Sequence, residues 1–290
     1  MVVTVTSMKG GVGKTTIAAL LARYLAGRGD QTILVVDMDP QGGASALLLG
    51  GRMEPPTLAD VLQLEAEGIP CGDLMGRAVR RSPRDERLLI LPGDPALAAL
   101  ANSAPPLRTL DHALKSAPFP ENTHAIVDTG THPTLVAMGI LAAEVLLIPV
   151  MLSQQSALPT IHTLRMALHH RVRRGALIPV GIGQAQWEAR ELARWEEKLA
   201  GSRALAAMGF EVLPGLPFSR TLLRGRWRNG RFPARFIPAM ESIRRFLFED
   251  TRGGASRRQA IAAEPLEQRH VIHGNGQPAP QLELEGTHGR

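Results

Sequence analysis

Residues 8–16 (Met-Lys-Gly-Gly-Val-Gly-Lys-Thr-Thr) bring together the groups needed to hold a row of phosphates. Gly10, Gly11 and Gly13 allow successive backbone N–H groups to curl round an anion without Cβ clashes. Lys14 supplies a point charge suited to β- and γ-phosphates, and the Thr15 hydroxyl is placed to ligate Mg²⁺. Gly10, Gly11, Val12, Gly13, Lys14, Thr15 and Thr16 are therefore the candidate nucleotide cradle. Carboxylates follow at two later places. Asp37 and Asp39, in Asp-Met-Asp-Pro-Gln-Gly, end a second apolar run, and strand alternation sends both to one side. Asp128 ends Thr-His-Ala-Ile-Val-Asp, a buried strand closing in an acid downstream of a phosphate loop, which is a Walker B arrangement for Mg²⁺. Thr15, Asp37 and Asp128 are the candidate metal residues.

Strands must carry these groups to one edge. Val2–Thr6 reads as a strand buried on both faces, and Ile17–Leu25 as the helix after the loop, whose positive dipole end meets the same anion. Further apolar strands are expected at 32–36, 87–92, 123–128, 145–150, 176–183 and 210–214. Helices are expected at 44–49, 57–64, 95–102, 107–116, 133–143, 157–174, 187–208 and 238–248, the last packing its apolar face on the core. This alternation predicts an α/β fold, a doubly wound, mainly parallel sheet with helices on both faces. Residues 76–87 are arginine-rich but interrupted by Asp85 and Glu86, and read as a solvated surface. Residues 1–249 are expected to form one domain. From 250 onward glycine, glutamine, proline and mixed charge without periodicity predict a disordered tail.

Composition narrows the class. The 290 residues are 44% hydrophobic and 21% charged, and no apolar run approaches the ~18 residues of a membrane span. The chain starts on a strand, so no signal peptide is expected. One cysteine, Cys71, excludes an internal disulfide framework and fits a reducing cytoplasm. Net charge is +6, supplied mostly by arginine. Arg220, Arg224, Arg226, Arg228, Arg231 and Arg235 alternate with Trp227, Phe232 and Phe236, with no acid before Glu241, a pattern suited to phosphate backbones. A second basic run, His162, Arg165, His169, His170, Arg171, Arg173 and Arg174, lies opposite the apolar face of the 157–174 helix. No cysteine or carboxylate accompanies its histidines, so a metal site is not expected there. His132 reads as a loop residue.

The loop has Met8 where the common phosphate-loop pattern has glycine, and a second lysine, Lys9, before Gly10. Lys-Gly-Gly-x-Gly-Lys-Thr resembles the deviant Walker A motif of the ParA/MinD ATPase superfamily, and the Asp37–Gly42 and 123–128 segments resemble its next two signatures. That resemblance implies a P-loop NTPase fold using ATP and Mg²⁺, and an ATP-bound homodimer in which Lys9 reaches the partner subunit's nucleotide. Lys9, Lys14 and Asp39 would be the catalytic set, with Asp39 orienting the attacking water. Gln184, where the family often has Asn, and Pro217 would lie at the adenine. The short partitioning members imply non-specific DNA binding through Arg220, Arg224, Arg226, Arg228 and Arg231, a ParB-type activator, and a cytoplasmic, nucleoid-associated protein without stable membrane association. Alternatives are a MinD-like membrane-bound positioning ATPase and a nucleotide-dependent scaffold with weak hydrolysis. The MinD-like group ends in a basic amphipathic helix, whereas residues 281–290 here are mildly acidic. Thr-Gly-Thr-His-Pro follows Asp128 where the family usually has Pro-Pro, so a different loop is expected at that point.

Overall fold

The first strand, β1 (Val2–Val5), lies between β5 (Thr123–Thr129) and β6 (Val145–Met151), parallel to both. The computed structural model describes residues 1–29, 31–50, 53–183, 186–219 and 232–249. Among these, nine strands form one sheet. In order across it run β3 (Arg80–Ser82), β4 (Asp85–Leu91), β2 (Thr32–Met38), β5, β1, β6, β7 (Gly175–Ile182) and β8 (Phe210–Val212), while β9 (Leu216–Pro217) also pairs with β7. Every pairing is parallel except β3 with β4. The mainly parallel α/β sheet matches the expectation. The antiparallel edge does not: residues 80–82 turn back on β4, and Ser82 is buried where a solvated surface was expected.

Alternation along the central strands feeds two faces. Val3, Val5, Ile33, Val35, Ile126 and Leu147 pack with α1 (Lys14–Ala26). Leu34, Val36, Met38 and Val127 pack on the other side with α3 (Leu58–Ala66), α5 (Ala96–Asn102), α6 (Thr109–Ser116) and α7 (Pro133–Ala142). Between them, in chain order, lie α2 (Gly43–Leu48) and α4 (Gly72–Ala78). Strands covered on both faces must read as near-continuous apolar runs, and these do. In α1, Ile17, Leu20, Leu21 and Leu25 recur at helical spacing and are buried. Each such side chain contributes about 1.5–3 kcal/mol on leaving water.

A third cluster joins β6 and β7 to α8 (Gln154–His169), α9 (Gln186–Gly201) and α10 (Arg203–Ala207). The single helix expected over 187–208 is thus two, because Ser202 caps α10, its Oγ accepting from the Leu205 amide at 3.4 Å. The last described helix, α11 (Ile237–Phe248), buries Met240, Ile243, Phe246 and Leu247 against the α1 face of the sheet, as expected. Glu241 ties it to α1, accepting from the Tyr24 hydroxyl at 2.6 Å and from Arg28 at 2.5 Å.

Candidate functional site

The loop between β1 and α1 stands at the carboxyl ends of the parallel strands, where open α/β sheets form their binding crevice. Gly11 and Gly13 take left-handed φ values of 70° and 93°. A Cβ on Gly10 or Gly11 would meet nothing within 4 Å, so open space lies over the loop. The first turn of α1 has no acidic residue and no side-chain cap. Its positive end is therefore left to an anion from elsewhere. Lys14, 7% exposed, turns its Nζ back to the Lys9 carbonyl at 3.1 Å. Burial lowers its pKa, against the opposing pull of Asp128 and Asp39.

Register brings the carboxylates together. Asp37 and Asp128 are directly paired residues on β2 and β5, and Asp128 also pairs with Val5 at the end of β1. Both are fully buried. The Asp37 carboxylate accepts from the Ser45 amide at 2.8 Å, the Ser45 hydroxyl at 2.7 Å and the Asp39 amide at 3.2 Å. Burial still pushes its pKa up to about 6, and the Asp39 charge adds to the rise. Among the described residues, neither oxygen of Asp128 has a donor in bonding geometry. Burial first, then the Asp37 charge, raise its carboxyl well above the ordinary range, while Thr15 and Lys14 offset part of that cost. A buried carboxylate left without donors is costly, and a divalent cation would reverse both the cost and the pKa shift. Thr15, Asp37 and Asp128 thus fit Mg²⁺, with Asp128 offering open coordination and Asp37 already engaged by α2.

Small residues let these groups meet. A Cβ on Gly43 would lie 3.1 Å from Thr15 Cγ2, and one on Gly130 would lie 3.2 Å from Asp39 Oδ1. The altered loop after Asp128 therefore lays Gly130 against the Asp39 carboxylate, while Thr129 is tied to Thr6 by a 2.7 Å hydroxyl contact. Asp39 Oδ1 also accepts from the Gln41 amide at 2.9 Å. His132 does not join this group; its Nε2 lies 3.2 Å from Asn102 Oδ1.

Sequence reasoning missed three participants. Ser45 holds Asp37. Gly93 lies so close behind β2 that a Cβ there would sit 2.3 Å from the Asp37 carbonyl oxygen. Ser156 on α8 accepts the Lys9 ammonium at 2.8 Å. Gly93 had a weak local signal, a Pro-Gly-Asp turn after a strand; the two serines had none. Pro217 pairs with Ile182 at the end of β7, and Val180 of the same strand lies against Gly13. Gln184, Arg220, Arg224, Arg226, Arg228 and Arg231, and the tail expected over 250–290, lie outside the described residues. No helix of the described residues is long and apolar enough to cross a membrane.

A glycine-rich loop between the first strand and first helix, facing paired acids on β5 and β2, defines a P-loop nucleotide-binding protein. Residues 3–215 match the family described as CobQ/CobB/MinD/ParA nucleotide binding domain. The chain belongs to that family of nucleotide-binding ATPases. It is 29% identical over 227 residues, 74% of this chain and 85% of the relative, to the maintenance of carboxysome distribution protein A of Synechococcus elongatus. It is 32% identical over 170 residues, 47% of this chain and 66% of the relative, to the chromosome-partitioning ATPase Soj of Thermus thermophilus. Its fold matches a plasmid partition protein of Borrelia burgdorferi solved with AMPPNP, at a TM-score of 0.67 and 16% identity over 86% of this chain and 98% of that one.

Proposed function

We propose that this chain is a ParA-type positioning or partitioning ATPase that dimerises on ATP and Mg²⁺, binds DNA without sequence preference in that state, and is released by partner-stimulated hydrolysis. The observation that carries the reading is Asp128: buried, paired in register with Asp37, and without a donor on either oxygen among the described residues, at the mouth of a loop whose helix end lacks an acid. Mg²⁺ would be held by Thr15 and Asp128, with Asp37 behind them, and would supply positive charge against the phosphates. Gly10 to Thr16 would wrap the phosphates with backbone donors. Lys14 would exchange the Lys9 carbonyl for the β/γ-phosphates. Asp39, held by the Gln41 amide against Gly130, would accept a hydrogen bond from the attacking water and fix its line of approach. Lys9 would complete the partner's site, and Gln184 and Pro217 would flank the adenine.

The names of the two curated relatives, one in carboxysome distribution and one in chromosome partitioning, support a positioning role. The arginines at 220, 224, 226, 228 and 231 supply the DNA contacts, and a ParB-type protein the stimulation. In the described part, α11 has its apolar face committed to the core, which favours this reading over a membrane-bound one. Residues 1–249 constitute the ATPase domain.

The test is mass in solution with a non-hydrolysable ATP analogue and Mg²⁺. A doubling in mass is expected, together with retardation of duplex DNA that ADP does not support. Unliganded single chains would refute the reading. Asp39→Ala should leave the ATP dimer formed and on DNA with turnover lost, and ordinary turnover in that variant would remove Asp39 from its role.

A further inference from the structure

The outer face of α8 and the turn leaving it carry a strip of basic side chains that the nucleotide site does not use. His162, Arg165, His169, Arg171 and Arg173 are all exposed, and His162, Arg165 and His169 recur at the three- and four-residue spacing of one helix face. No Asp or Glu occurs between Glu144 and Glu188. None of the three arginine side chains forms an ion pair or hydrogen bond with a described residue. Other surface arginines do: Arg28, Arg194, Arg244 and Arg245 are paired with glutamates. The acid on neighbouring α6, Asp111, is shared between Arg108 and Lys115.

The backbone at the end of this strip is held against preference. The Val172 amide reaches the Ala167 carbonyl and the Arg171 amide the Leu168 carbonyl, the pattern that ends a helix on a left-handed residue. That position strongly favours glycine, yet it is Arg171, at φ 55°. A side chain kept where glycine would relieve the backbone points to a use for the side chain.

We infer that this strip is a second docking surface for the phosphate backbone of duplex DNA, separate from the 220–231 segment. The inference rests on the DNA-binding reading above and adds a contact site to it. Planar guanidinium groups with no competing carboxylate suit phosphate oxygens. From His162 to His169 the helix rises roughly 10 Å, the span of about three phosphates along one strand. A convex ridge suits a long polyanion rather than a small molecule. The opposite side of α8 bears Ser156 and Thr163, which hold Lys9 and the Met8 amide, so DNA would dock on the same helix that steadies the phosphate loop.

The full chain with ATP analogue and Mg²⁺, titrated into labelled duplexes of unrelated sequence, tests this. Arg165→Gln, Arg171→Gly and Arg173→Gln should each weaken binding several-fold on every duplex, and the slope of log affinity against log salt should fall by roughly one per arginine removed. Arg171→Gly should also raise Tm, which a merely structural arginine would not do. A triple variant with wild-type affinity and salt slope overturns the inference, as does a triple variant that loses only its retention on phosphatidylserine vesicles or on polyglutamate. If variants in 220–231 abolish binding while the triple variant matches wild type, this surface alone is refuted. If the wild-type chain binds no duplex with any nucleotide, the DNA-binding reading itself falls.

Discussion

Lys9 Nζ donates to Ser156 Oγ of its own chain at 2.8 Å, 147 residues away in sequence. Ser156 is buried and its hydroxyl also lies 3.0 Å from Ser153 Oγ. In the proposed dimer Lys9 must leave this serine to reach the partner's phosphates. The single chain therefore holds the lysine in a position that competes with assembly.

Ser156→Ala should shift that competition. A hydrogen bond to a charged donor contributes about 1.5–3 kcal/mol, so the variant should associate at several-fold lower protein concentration with ATP analogue, at some cost in single-chain stability. Lys9→Ala should still bind nucleotide and fail to associate. Light scattering against concentration, beside a nucleotide-binding titration, separates the two effects.

Lys14 is buried with its pKa lowered by desolvation, and its neighbours Asp39 and Asp128 pull the other way. Lys14→Ala removes the charge that faces the phosphates in a low-dielectric site, a loss of about 2–5 kcal/mol in comparable buried pairs. Nucleotide affinity by calorimetry should fall at least thirtyfold, and Lys14→Arg should not restore it, because the longer planar head cannot occupy the same buried space.

The two raised carboxyls set the sign of a pH effect. Asp37 and Asp128 hold protons in the folded chain at pH values where the unfolded chain has released them. Their contribution to stability is fully present below about pH 4; that of Asp37 is lost as pH climbs through about 6, and that of Asp128 as pH climbs through its own raised range. Asp128→Asn removes the buried ionisable carboxyl, so at pH 7.5 without metal its Tm should exceed wild type by several degrees, the gap closing toward pH 4. A gain of 1 kcal/mol is about 2–4 °C for a domain of this size. Mg²⁺ with nucleotide should raise the wild-type Tm and leave the variant little changed. A wild-type Tm indifferent to metal and nucleotide would count against Asp128 as a metal residue.

Gly93 is where a single methyl group would strike the site. Its Cβ would meet the Asp37 carbonyl at 2.3 Å and the Asp39 carbonyl at 3.0 Å, both backbone atoms that cannot rotate away. Gly93→Ala should cost about 1–3 kcal/mol of stability and, by displacing the end of β2, lower turnover as well. Urea unfolding and ATPase assays should move together. An alanine variant with wild-type values in both would show that the strand end is less tightly held than the contact implies.

What the sequence determined by itself is local. Glycine spacing with Lys14 and Thr15 specifies a phosphate loop because only that backbone can curl so closely. Apolar runs ending in Asp37 and Asp128 specify buried strands with acids at their tips, because strands covered on both faces must be apolar throughout. Alternation with helical stretches then specifies a mainly parallel sheet. Tertiary structure decided what depends on register and chain return. It paired Asp37 with Asp128 residue for residue, engaged Asp37 with Ser45, left Asp128 without a donor among the described residues, set Gly130 on Asp39, and turned 80–82 back along β4. It also brought Ser156 to Lys9 and placed Arg171 in a glycine's conformation. None of these leaves a periodic trace, because each is a single contact between segments that meet only once the sheet has closed and its helices have packed.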